Sequence, residues 1–349
     1  MNYTDKIYIF LLIIISYGCT QGSDTEKYQK SRDNIVNVHD KIKEIEIETV
    51  LIGRNSQSYL IDQYLIICDY TSPDQQIHLF NKNNFRYLAS TAYKGQGPGE
   101  ISNIGHVGID ESRRKFYVTD HGKQKIFSYD LDSVLKNPDY IPSVKMEMEI
   151  ALFPDKYKYI NDTLCIGRVI QPIGTNDFKP YVAKWNMITG DIKLMPYEHL
   201  DIKTKRSNVT VSAKHNRYVE YYSYHDLMTI CDLDGNLKCN IYGPQWTSDK
   251  SQISGYWDAE FCGDKIVAAY SGGDHRTDAY FPTKLLIFDL KGNYLKTLET
   301  GYKLFRFCYD SENNRLILCM DDDIQFSIEN ISQIREEDDY PGLRLSLKA

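Results

Sequence analysis

Two Asp-His pairs are the residues of this sequence best suited to acid–base or metal chemistry. Asp120 and His121 follow the strand-like run KFYVT, and Asp274 and His275 follow KIVAAYSGG, with Arg276 next in the chain. Carboxylate and neutral imidazole bind divalent metals, and they can carry protons near neutral pH. Both pairs also lie in turn-like stretches, DHGKQ and SGGDHRTD, where Asp commonly caps backbone amides. We favour the turn interpretation and keep the metal or acid–base site as its alternative.

A glycine-rich stretch, YKGQGPGEIS, has the composition of a phosphate-binding loop but not its order. The lysine of such a loop follows the last glycine at the start of a helix, whereas Lys94 precedes the first glycine here. A dinucleotide fingerprint needs a small residue where Glu100 stands, and Pro98 removes one backbone amide. The order therefore argues against a nucleotide site. For Glu100 we favour a structural role, as an acceptor for backbone amides or a partner of Lys or Arg, over catalysis.

The position of this stretch is explained by a repeat that runs through the chain. Six β-rich runs recur at intervals of 48 to 53 residues, and each is followed by a second short strand that enters a polar turn. The first runs are centred at Ile66, Tyr117, Cys165, Tyr218, Val267 and Ile317. The second runs end at Asn81, Asp130, Asn186, Asp232, Asp289 and Glu329. Six such hairpins, with almost no helical periodicity, predict an all-β fold, a six-bladed β-propeller.

The ring of blades must close, because an open edge would expose unpaired backbone groups. The last repeat is one strand short, and residues 42–53, IKEIEIETVLIG, alternate apolar and charged residues as an exposed strand does. We predict that this N-terminal strand completes the last blade. The glycine-rich stretch is then the crossover from an outer strand over Tyr87–Tyr93 in the first blade to an inner strand over Ile104–Ile109 in the second. Glycine and proline suit the tight backbone angles of such a crossover.

The N-terminus has the features of an export signal. Lys6 precedes an apolar run over residues 7–15 that is too short to span a bilayer, and Gly18 and Cys19 follow it. We predict a lipoprotein signal peptide with lipidation of Cys19, which would anchor the chain to a membrane. A plain cleaved signal peptide is the alternative.

Three segments follow from this signal. Residues 1–18 are the predicted signal peptide. Residues 19–40 are polar and lack apolar periodicity, which predicts a flexible tether. Residues 41–349 remain for the propeller, enough for one large all-β domain.

A set of residues in the predicted crossover, G-x-G-P-G-E, resembles the TolB-like and NHL-like six-bladed β-propeller lipoproteins of Bacteroidota. The matching residues are Gly95, Gly97, Pro98, Gly99 and Glu100, together with Gly18 and Cys19. The six degenerate repeats extend the resemblance over nearly the whole mature chain. It implies the propeller fold and a location in the cell envelope, at the outer membrane and facing the periplasm or the exterior. It implies no established reaction.

Charge and cysteine content bear on partners and covalent links. The net charge is -7, and Lys and Arg are spread throughout, so the chain lacks the basic stripe that binds nucleic acid. Cys231 and Cys239 flank the turn DLDGN. They would be placed for a disulfide if they faced each other across a hairpin, but a register shift of one residue would separate them. We do not favour the disulfide.

Function is predicted to be binding rather than catalysis. The helix motif H-E-x-x-H and the elbow motif G-x-S-x-G do not occur, while 28 tyrosines offer stacking surfaces for sugars or anchors for a protein. The densest aromatic set comprises Tyr218, Tyr221, Tyr222, Tyr224, Trp246, Tyr256 and Trp257, although most tyrosines must fill the core. We expect noncatalytic recognition of a glycan, peptide or envelope protein, without a cofactor.

The alternative is a hydrolase or lyase that uses calcium or zinc at the mouth of the propeller channel. Propeller ligands bind where loops and inner strands converge, so polar residues near strand ends are the candidates for either function. They are Glu100, Asp120, His121, Asp274, His275 and Arg276. A metal site would require several of these side chains, from different blades, to converge on one ion.

Overall fold

A computed structural model describes residues 25–137, 139–175, 177–202, 205–249 and 253–331. Within these residues the chain forms six sheets of four antiparallel strands, two of which carry a fifth strand. The innermost strands of the six sheets contact one another in a closed cycle, so the sheets are the blades of a six-bladed β-propeller. The predicted fold class is confirmed. The predicted signal peptide and Cys19 lie outside the described residues.

The elements follow in chain order. Three short strands come first: β1 (Glu26–Tyr28), β2 (Ile35–Asn37) and β3 (Lys43–Glu44), with a 3-10 turn at His39–Lys41. Blade 1 contains β4 (Ser56–Ile61), β5 (Tyr64–Asp69), β6 (Gln75–Asn81) and β7 (Tyr87–Tyr93). Blade 2 contains β8 (Ile104–Asp110), β9 (Lys115–Asp120), β10 (Lys125–Asp130) and β11 (Ser143–Glu147), with helix α1 (Leu131–Lys136). Blade 3 contains β12 (Phe153–Asn161), β13 (Leu164–Pro172), β14 (Phe178–Trp185) and β15 (Ile192–Leu194).

The second half of the ring has the same plan. Blade 4 contains β16 (Ser207–Ser212), β17 (Arg217–Tyr222), β18 (Leu227–Cys231) and β19 (Leu237–Tyr242). Blade 5 contains β20 (Tyr256–Cys262), β21 (Lys265–Tyr270), β22 (Lys284–Asp289) and β23 (Tyr294–Glu299), with a 3-10 turn at Asp278–Tyr280. Blade 6 contains β24 (Leu304–Asp310), β25 (Arg315–Met320) and β26 (Phe326–Asn330). No helix in the described part of the chain is long and apolar enough to cross a membrane.

The hydrophobic core consists of separate clusters between neighbouring blades. Phe116 and Tyr129 stack at 5.0 Å in the cluster between blades 1 and 2, and Tyr157 meets Trp185 edge-on at 4.9 Å in the next. Large rings suit these gaps because they bury much area and pack face to face or edge to face. Most of the aromatic set considered as a stacking surface belongs to the core, as the sequence predicts for most tyrosines, since Tyr218, Tyr221, Tyr222 and Tyr256 are among the largest fully buried side chains.

The polar turns between the third and fourth strands behave as the sequence predicts. Asn81 accepts hydrogen bonds from the amides of Asn83 and Asn84, and Asp289 accepts from those of Lys291 and Asn293. Such side-chain to backbone bonds stabilise tight turns. Gly292 in the second of these turns has φ of 81°, a left-handed conformation that glycine adopts without strain.

An N-terminal strand closes the ring, but it is shorter than the strand predicted from the sequence. β3 pairs with β26 antiparallel, through Glu44 opposite Ser327 and Lys43 opposite Ile328, and forms the outer strand of blade 6. The amide of Ile45 adds a 2.8 Å hydrogen bond to the carbonyl of Phe326. The remainder of the predicted strand, to residue 53, is irregular and leads back toward β4.

The prediction of a flexible tether over residues 19–40 is wrong for its described part. Residues 25–41, here called the N-terminal strap, run along the rims of two blades. β1 pairs parallel with β19 as a fifth strand of blade 4, and β2 pairs parallel with β23 as a fifth strand of blade 5. Backbone pairing with an open blade edge needs no apolar periodicity. A polar segment can therefore form such a strand without a pattern in its sequence that predicts it.

The register of the β18–β19 hairpin keeps Cys231 and Cys239 apart. Cys239 lies opposite Ile230, and a bulge places Cys231 opposite Leu237. The two side chains therefore belong to different interblade clusters, and both thiols are free and buried. The sequence allows a register shift of one residue that would separate the two cysteines, and the structure has such a register.

Candidate functional site

A channel runs along the axis of the ring and widens toward both faces. The crossover face is the face where the innermost strands begin and the chain passes from blade to blade; the hairpin face is the opposite one. A cavity of about 210 Å³, here called the channel mouth, lies at the crossover face, and one of about 390 Å³ lies at the hairpin face. Gln57, Tyr59, His106 and Lys156 line both cavities and so form the waist between them.

Bulges in the innermost strands shape the channel mouth. The pairing of β8, β12, β20 and β24 is interrupted near the start of each strand, whereas β4 and β16 pair regularly. The residues left without an opposite partner include His106, Asp155, Trp257 and Phe305. A bulge redirects side chains and is frequent beside binding sites. Four of the six blades thus have a bulge near the start of the innermost strand, and these bulges redirect side chains at the same end of the channel.

Lys156 joins three blades at the waist. Its ammonium lies 2.9 Å from Oδ1 of Asp258 and 2.9 Å from the hydroxyl of Tyr221, which donates to the same carboxylate oxygen at 3.0 Å. Oδ2 of Asp258 accepts the amide of Phe307 at 3.2 Å. Burial opposes the charge of Lys156, but Asp258 and Tyr221 together outweigh it and raise the pKa of the lysine. Lys156 is therefore a cation neutralised by Asp258.

A second ion pair lies at the channel mouth beside the first. Nε of Arg168 donates to Asp155 at 2.6 Å, and its Nη1 donates to the carbonyl of Ser207 at 2.7 Å. Burial alone would raise the pKa of Asp155, but Arg168 and then His121 hold it below its usual value. Nε2 of His121 lies 3.7 Å from the Asp155 carboxylate, too far for a hydrogen bond, and has no partner among the described residues.

Arg306 is the cation of the channel mouth that lacks a counter-ion. Its Nη1 donates weakly to Oε1 of Gln57 at 3.4 Å, and its guanidinium carbon lies 5.8 Å from the ring centre of Tyr70. No described carboxylate forms a salt bridge with it, and its buried Nε has no hydrogen-bond partner in that part of the chain. An unpartnered guanidinium N–H in a buried position is costly, and no acceptor among the described residues offsets that cost for Arg306.

His106 is held as a neutral hydrogen-bonding group. Nε2 donates to the carbonyl of Tyr157 at 2.6 Å, which leaves Nδ1 to accept from the hydroxyl of Tyr59 at 3.2 Å. Burial and the charge of Lys156 lower the pKa of His106 to about 3. Both ring nitrogens are occupied, so His106 supports the waist and does not act as a free base.

The hairpin-face cavity contains a carboxyl group in less polar surroundings. Glu260 accepts the amide of Tyr309 at 2.9 Å. Burial, followed by the neighbouring charge of Asp258, raises the pKa of Glu260 to about 7. Apolar side chains such as Val209, Val211 and Phe261 complete the wall.

Glu100 faces its own loop rather than the channel. Oε2 accepts the amide of Gly97 at 2.6 Å, and Lys123 donates to the carbonyls of Gly97 and Glu100, both at 2.8 Å. A Cβ atom at Gly95 would lie 2.0 Å from this carboxylate. The G-x-G-P-G-E set is therefore packed around the glutamate, and its glycines leave the space that the carboxylate fills. Pro98 and Gly99 belong to the same crossover, between β7 and β8.

Asp120 is a buried capping residue. Its carboxylate accepts the amides of Ser102, Asn103, Gly122 and Lys123, at 2.8 to 3.2 Å, and the hydroxyl of Ser102 at 2.8 Å. The contacts fasten the blade 1–2 crossover to the end of β9. This geometry is that of a turn-capping aspartate, the interpretation favoured from the sequence.

The second predicted pair lies apart from both channel cavities. Asp274 binds Arg276 at 2.7 Å on the surface, and this pairing lowers the pKa of the carboxyl. The His275 ring lies 6.0 Å from that of Tyr224. Of the six candidates only His121 lines the channel mouth. Among the described residues, no group of three or more His, Cys, Asp or Glu is placed to hold one metal ion.

The charged residues of the channel are those that the sequence interpretation missed. Asp155, Lys156, Asp258 and Arg306 lie within innermost strands, in FPDKYKY, WDAEF and LFRFC. A charge inside an otherwise apolar run is the signal that could have identified them, because a charge in a strand covered on both faces needs a polar channel or a partner.

Comparisons with known proteins agree with this architecture. A family model described as "6-bladed beta-propeller" matches residues 25–234. The solved structure of a luciferin-regenerating enzyme is 10% identical, with 83% of this chain and 95% of that chain covered and a TM-score of 0.53. A putative exported protein from Bacteroides fragilis NCTC 9343 is 11% identical, with coverages of 85% and 88% and a TM-score of 0.50. A search of curated proteins finds no match. Likeness at these identities shows the fold alone.

Proposed function

The chain belongs to this family of six-bladed β-propellers, and from that premise we propose that it is an exported, lipid-anchored binding module of the cell envelope. It holds its ligand noncatalytically at the channel mouth, and the ligand presents an anionic group to Arg306. The observation that carries the proposal is the buried Nε of Arg306, which has no acceptor among the described residues. Glycans, peptides and envelope proteins can all present such a group.

Noncatalytic binding is supported by the state of the other groups at the mouth. Arg168 keeps Asp155 ionised, Lys156 is paired with Asp258, and both nitrogens of His106 are engaged. A general acid or base needs a pKa near the working pH and a free path to substrate. Glu260 has a pKa in that range but lies in the hairpin-face half of the channel.

The export and anchoring parts of the proposal depend on the N-terminal sequence. The apolar run over residues 7–15 and the Gly18-Cys19 pair support a lipoprotein signal, in line with the resemblance to TolB-like and NHL-like lipoproteins of Bacteroidota. β1 begins at Glu26, seven residues after Cys19. Seven extended residues reach at most about 25 Å, so a lipid on Cys19 would hold the rim of blade 4 close to the membrane.

The test is a thermal-melting panel on the purified full-length protein in detergent. Acetate, glucuronate, N-acetylglutamate and phosphate are compared with uncharged and cationic analogues, for the wild type, Arg306→Gln and the control Arg206→Gln. Arg206 is a suitable control because it pairs with Asp177 at the surface, outside the channel. We expect at least one anion to raise the Tm of the wild type and of R206Q but not of R306Q, while NMR spectra show the anion unchanged. Equal shifts with uncharged analogues, a shift retained in R306Q, or conversion of the anion would refute the proposal.

A further inference from the structure

We infer that the ligand is an acidic saccharide, whose carboxylate binds Arg306 and whose sugar ring packs on aromatic side chains beside it. The inference rests on the proposed function and specifies the ligand class of the same site. Four properties of the channel mouth lead to it: its charge balance, the unpartnered edge of the guanidinium, the adjoining aromatic rings and the other hydrogen-bonding side chains.

The charge balance favours a monoanion. Three cations, Lys156, Arg168 and Arg306, meet at the channel mouth, and two carboxylates, Asp155 and Asp258, neutralise the first two. One positive charge is left over, on Arg306. A carboxylate supplies one negative charge, whereas a phosphate monoester would bring more charge than the mouth compensates.

The free edge of Arg306 has the shape that binds a carboxylate. Nη1 is engaged by Gln57, and Nε is unpartnered. Nε and Nη2 form one edge of the planar guanidinium, and two parallel N–H groups along such an edge match the two oxygens of a carboxylate. Gln57 therefore occupies Nη1 and leaves the bidentate edge of the arginine without a hydrogen-bond partner among the described residues.

An aromatic rim adjoins this arginine. It comprises Trp257, Tyr280, Phe281 and Phe305, all partly exposed at the crossover face. The Phe305 ring lies 5.6 Å from the guanidinium carbon of Arg306 and 5.6 Å from the Trp257 ring. The Trp257 ring lies 5.2 Å from that of Phe281 and 5.4 Å from that of Tyr280. A group bound to Arg306 therefore has ring surface directly beside it.

Two bulges place the rim there. Trp257 and Phe305 are the extra residues in β20 and β24, so they leave the alternation that directs their neighbours into the core and the channel. The indole N–H of Trp257 donates to the hydroxyl of Ser254 at 2.7 Å, which fixes the ring. Fixed aromatic rings next to a cation suit a flat, partly apolar sugar face that carries a charge, more than a flexible peptide side chain.

Hydrogen-bonding side chains complete the mouth. The amide of Asn208 and the ring of His121 also line the cavity, and Nε2 of His121 has no hydrogen-bond partner among the described residues. Groups of this kind exchange hydrogen bonds with hydroxyls. The channel mouth thus offers one charged fork, aromatic surface and further hydrogen-bonding groups, a set that matches a uronic acid residue at the end of a glycan.

The experiment measures three probes by calorimetry on the full-length protein: methyl glucuronide, its uncharged match methyl glucoside, and acetate. The variants are Arg306→Gln, Phe305→Leu and Trp257→Leu, with Phe178→Leu as the control. Phe178 also lies under an arginine, with the Arg206 guanidinium carbon 4.4 Å from its ring centre, but outside the channel. Circular dichroism melts identify any variant that fails to fold.

Each outcome decides a different part of the argument. We expect the wild type to bind the glucuronide at least about tenfold more tightly than the glucoside or acetate, R306Q to lose at least about tenfold, and F305L and W257L to lose about threefold or more. F178L should bind as the wild type does. Acetate binding as tightly as the glucuronide would overturn the saccharide inference and leave the proposed function standing. If no carboxylate of the wider panel binds, the proposed function fails with it.

Discussion

Glu260 and Glu329 are carboxyl groups in surroundings that disfavour their charge. Burial raises the pKa of each to about 7, with the charge of Asp258 adding to the effect on Glu260. The ordinary value for glutamate is 4.5. Between pH 4.5 and about 7 the unfolded chain therefore loses these protons while the folded chain keeps them. The contribution of each residue to the free energy of unfolding falls as the pH rises through this window, and it is constant above it.

We expect Glu260→Gln to gain stability relative to the wild type as the pH rises from about 4.5 to about 7. Urea denaturation of both proteins at several pH values measures the difference in the free energy of unfolding. The two proteins must be compared at each pH, because His106 also makes the free energy of unfolding depend on pH. The pKa of His106 is lowered to about 3 in the folded protein, so the free energy of unfolding falls as the pH drops below the ordinary pKa of histidine. A difference that stays constant across the window would contradict the assignment. Glu329→Gln should behave in the same way.

Local chemistry explains which residue roles could be predicted from the sequence. Asp120 and Glu100 act on amides within a few residues or within one crossover, and short-range rules for turns describe such contacts. The role of Arg306 depends on the fact that no described carboxylate, from any blade, forms a salt bridge with it. Only the closed ring shows that Asp155 and Asp258 are already paired with other cations.

At the scale of elements, the blade 1–2 crossover shows how one carboxylate organises a loop. Glu100 occupies the space in front of Gly95 and Gly97, and Lys123 binds two carbonyls of the same loop. The loop in turn delivers the chain to β8, where the bulge at His106 begins. These contacts therefore help to position one wall of the channel.

We expect Gly95→Ala to cost about 1 to 3 kcal/mol, because its Cβ would displace the Glu100 carboxylate. In the Glu100→Ala background the same change should cost clearly less, since the clashing group is gone. The difference between the two costs, measured by urea denaturation, is the coupling energy of the pair. Gly174→Ala is the control, because its Cβ would meet no atom closer than 4.0 Å. Equal costs in both backgrounds would refute the packing role of Glu100.

The N-terminal strap is fastened by one buried ion pair. Nη2 of Arg32 donates to Asp226 at 2.8 Å and to the hydroxyl of Tyr256 at 2.9 Å, and its guanidinium carbon lies 4.8 Å from the Tyr270 ring centre. The side chain of Asp226 is fully buried. The strap thus contributes a side chain to the interface between blades 4 and 5.

Arg32→Gln should lower the free energy of unfolding by about 3 kcal/mol, because it leaves the Asp226 carboxylate buried without its cation. Arg54→Gln is the matched control, since Arg54 pairs with Asp321 at 2.9 Å while 76% exposed, and it should cost less than about 1 kcal/mol. Similar values for the two variants in urea denaturation would show that the strap is not fastened in this way.

Elements were predictable where the pattern is local and repeated. The strands β7 and β8 begin where the sequence places them, because turn residues and alternation mark their ends. The fifth strands β1 and β2 were not predictable, since their partners lie more than 200 residues away and their own residues carry no alternation. The bulges were not predictable either, because a bulge depends on the register between two paired strands.

At the scale of the whole molecule, the ring converts six similar blades into one unsymmetrical channel. Every blade contributes an innermost strand, but the charges differ from blade to blade, and at the channel mouth Arg306 is left without a paired carboxylate among the described residues. The strap and β3 bind the described N-terminal residues to blades 4, 5 and 6, and β3 completes the last blade of the ring. A rigid ring of this kind suits binding, because a preformed site loses little conformational entropy when the ligand arrives.

The most direct test of the account is an NMR titration of protein labelled with ¹⁵N at the arginine side chains, with methyl glucuronide as the ligand. The Nε–H signal of Arg306 is assigned by its absence in Arg306→Gln. The account predicts that this signal shifts progressively to saturation, while the signal of surface Arg54 stays in place. A glucuronide that binds without moving the Arg306 signal, or that moves signals far from the channel mouth instead, would contradict it.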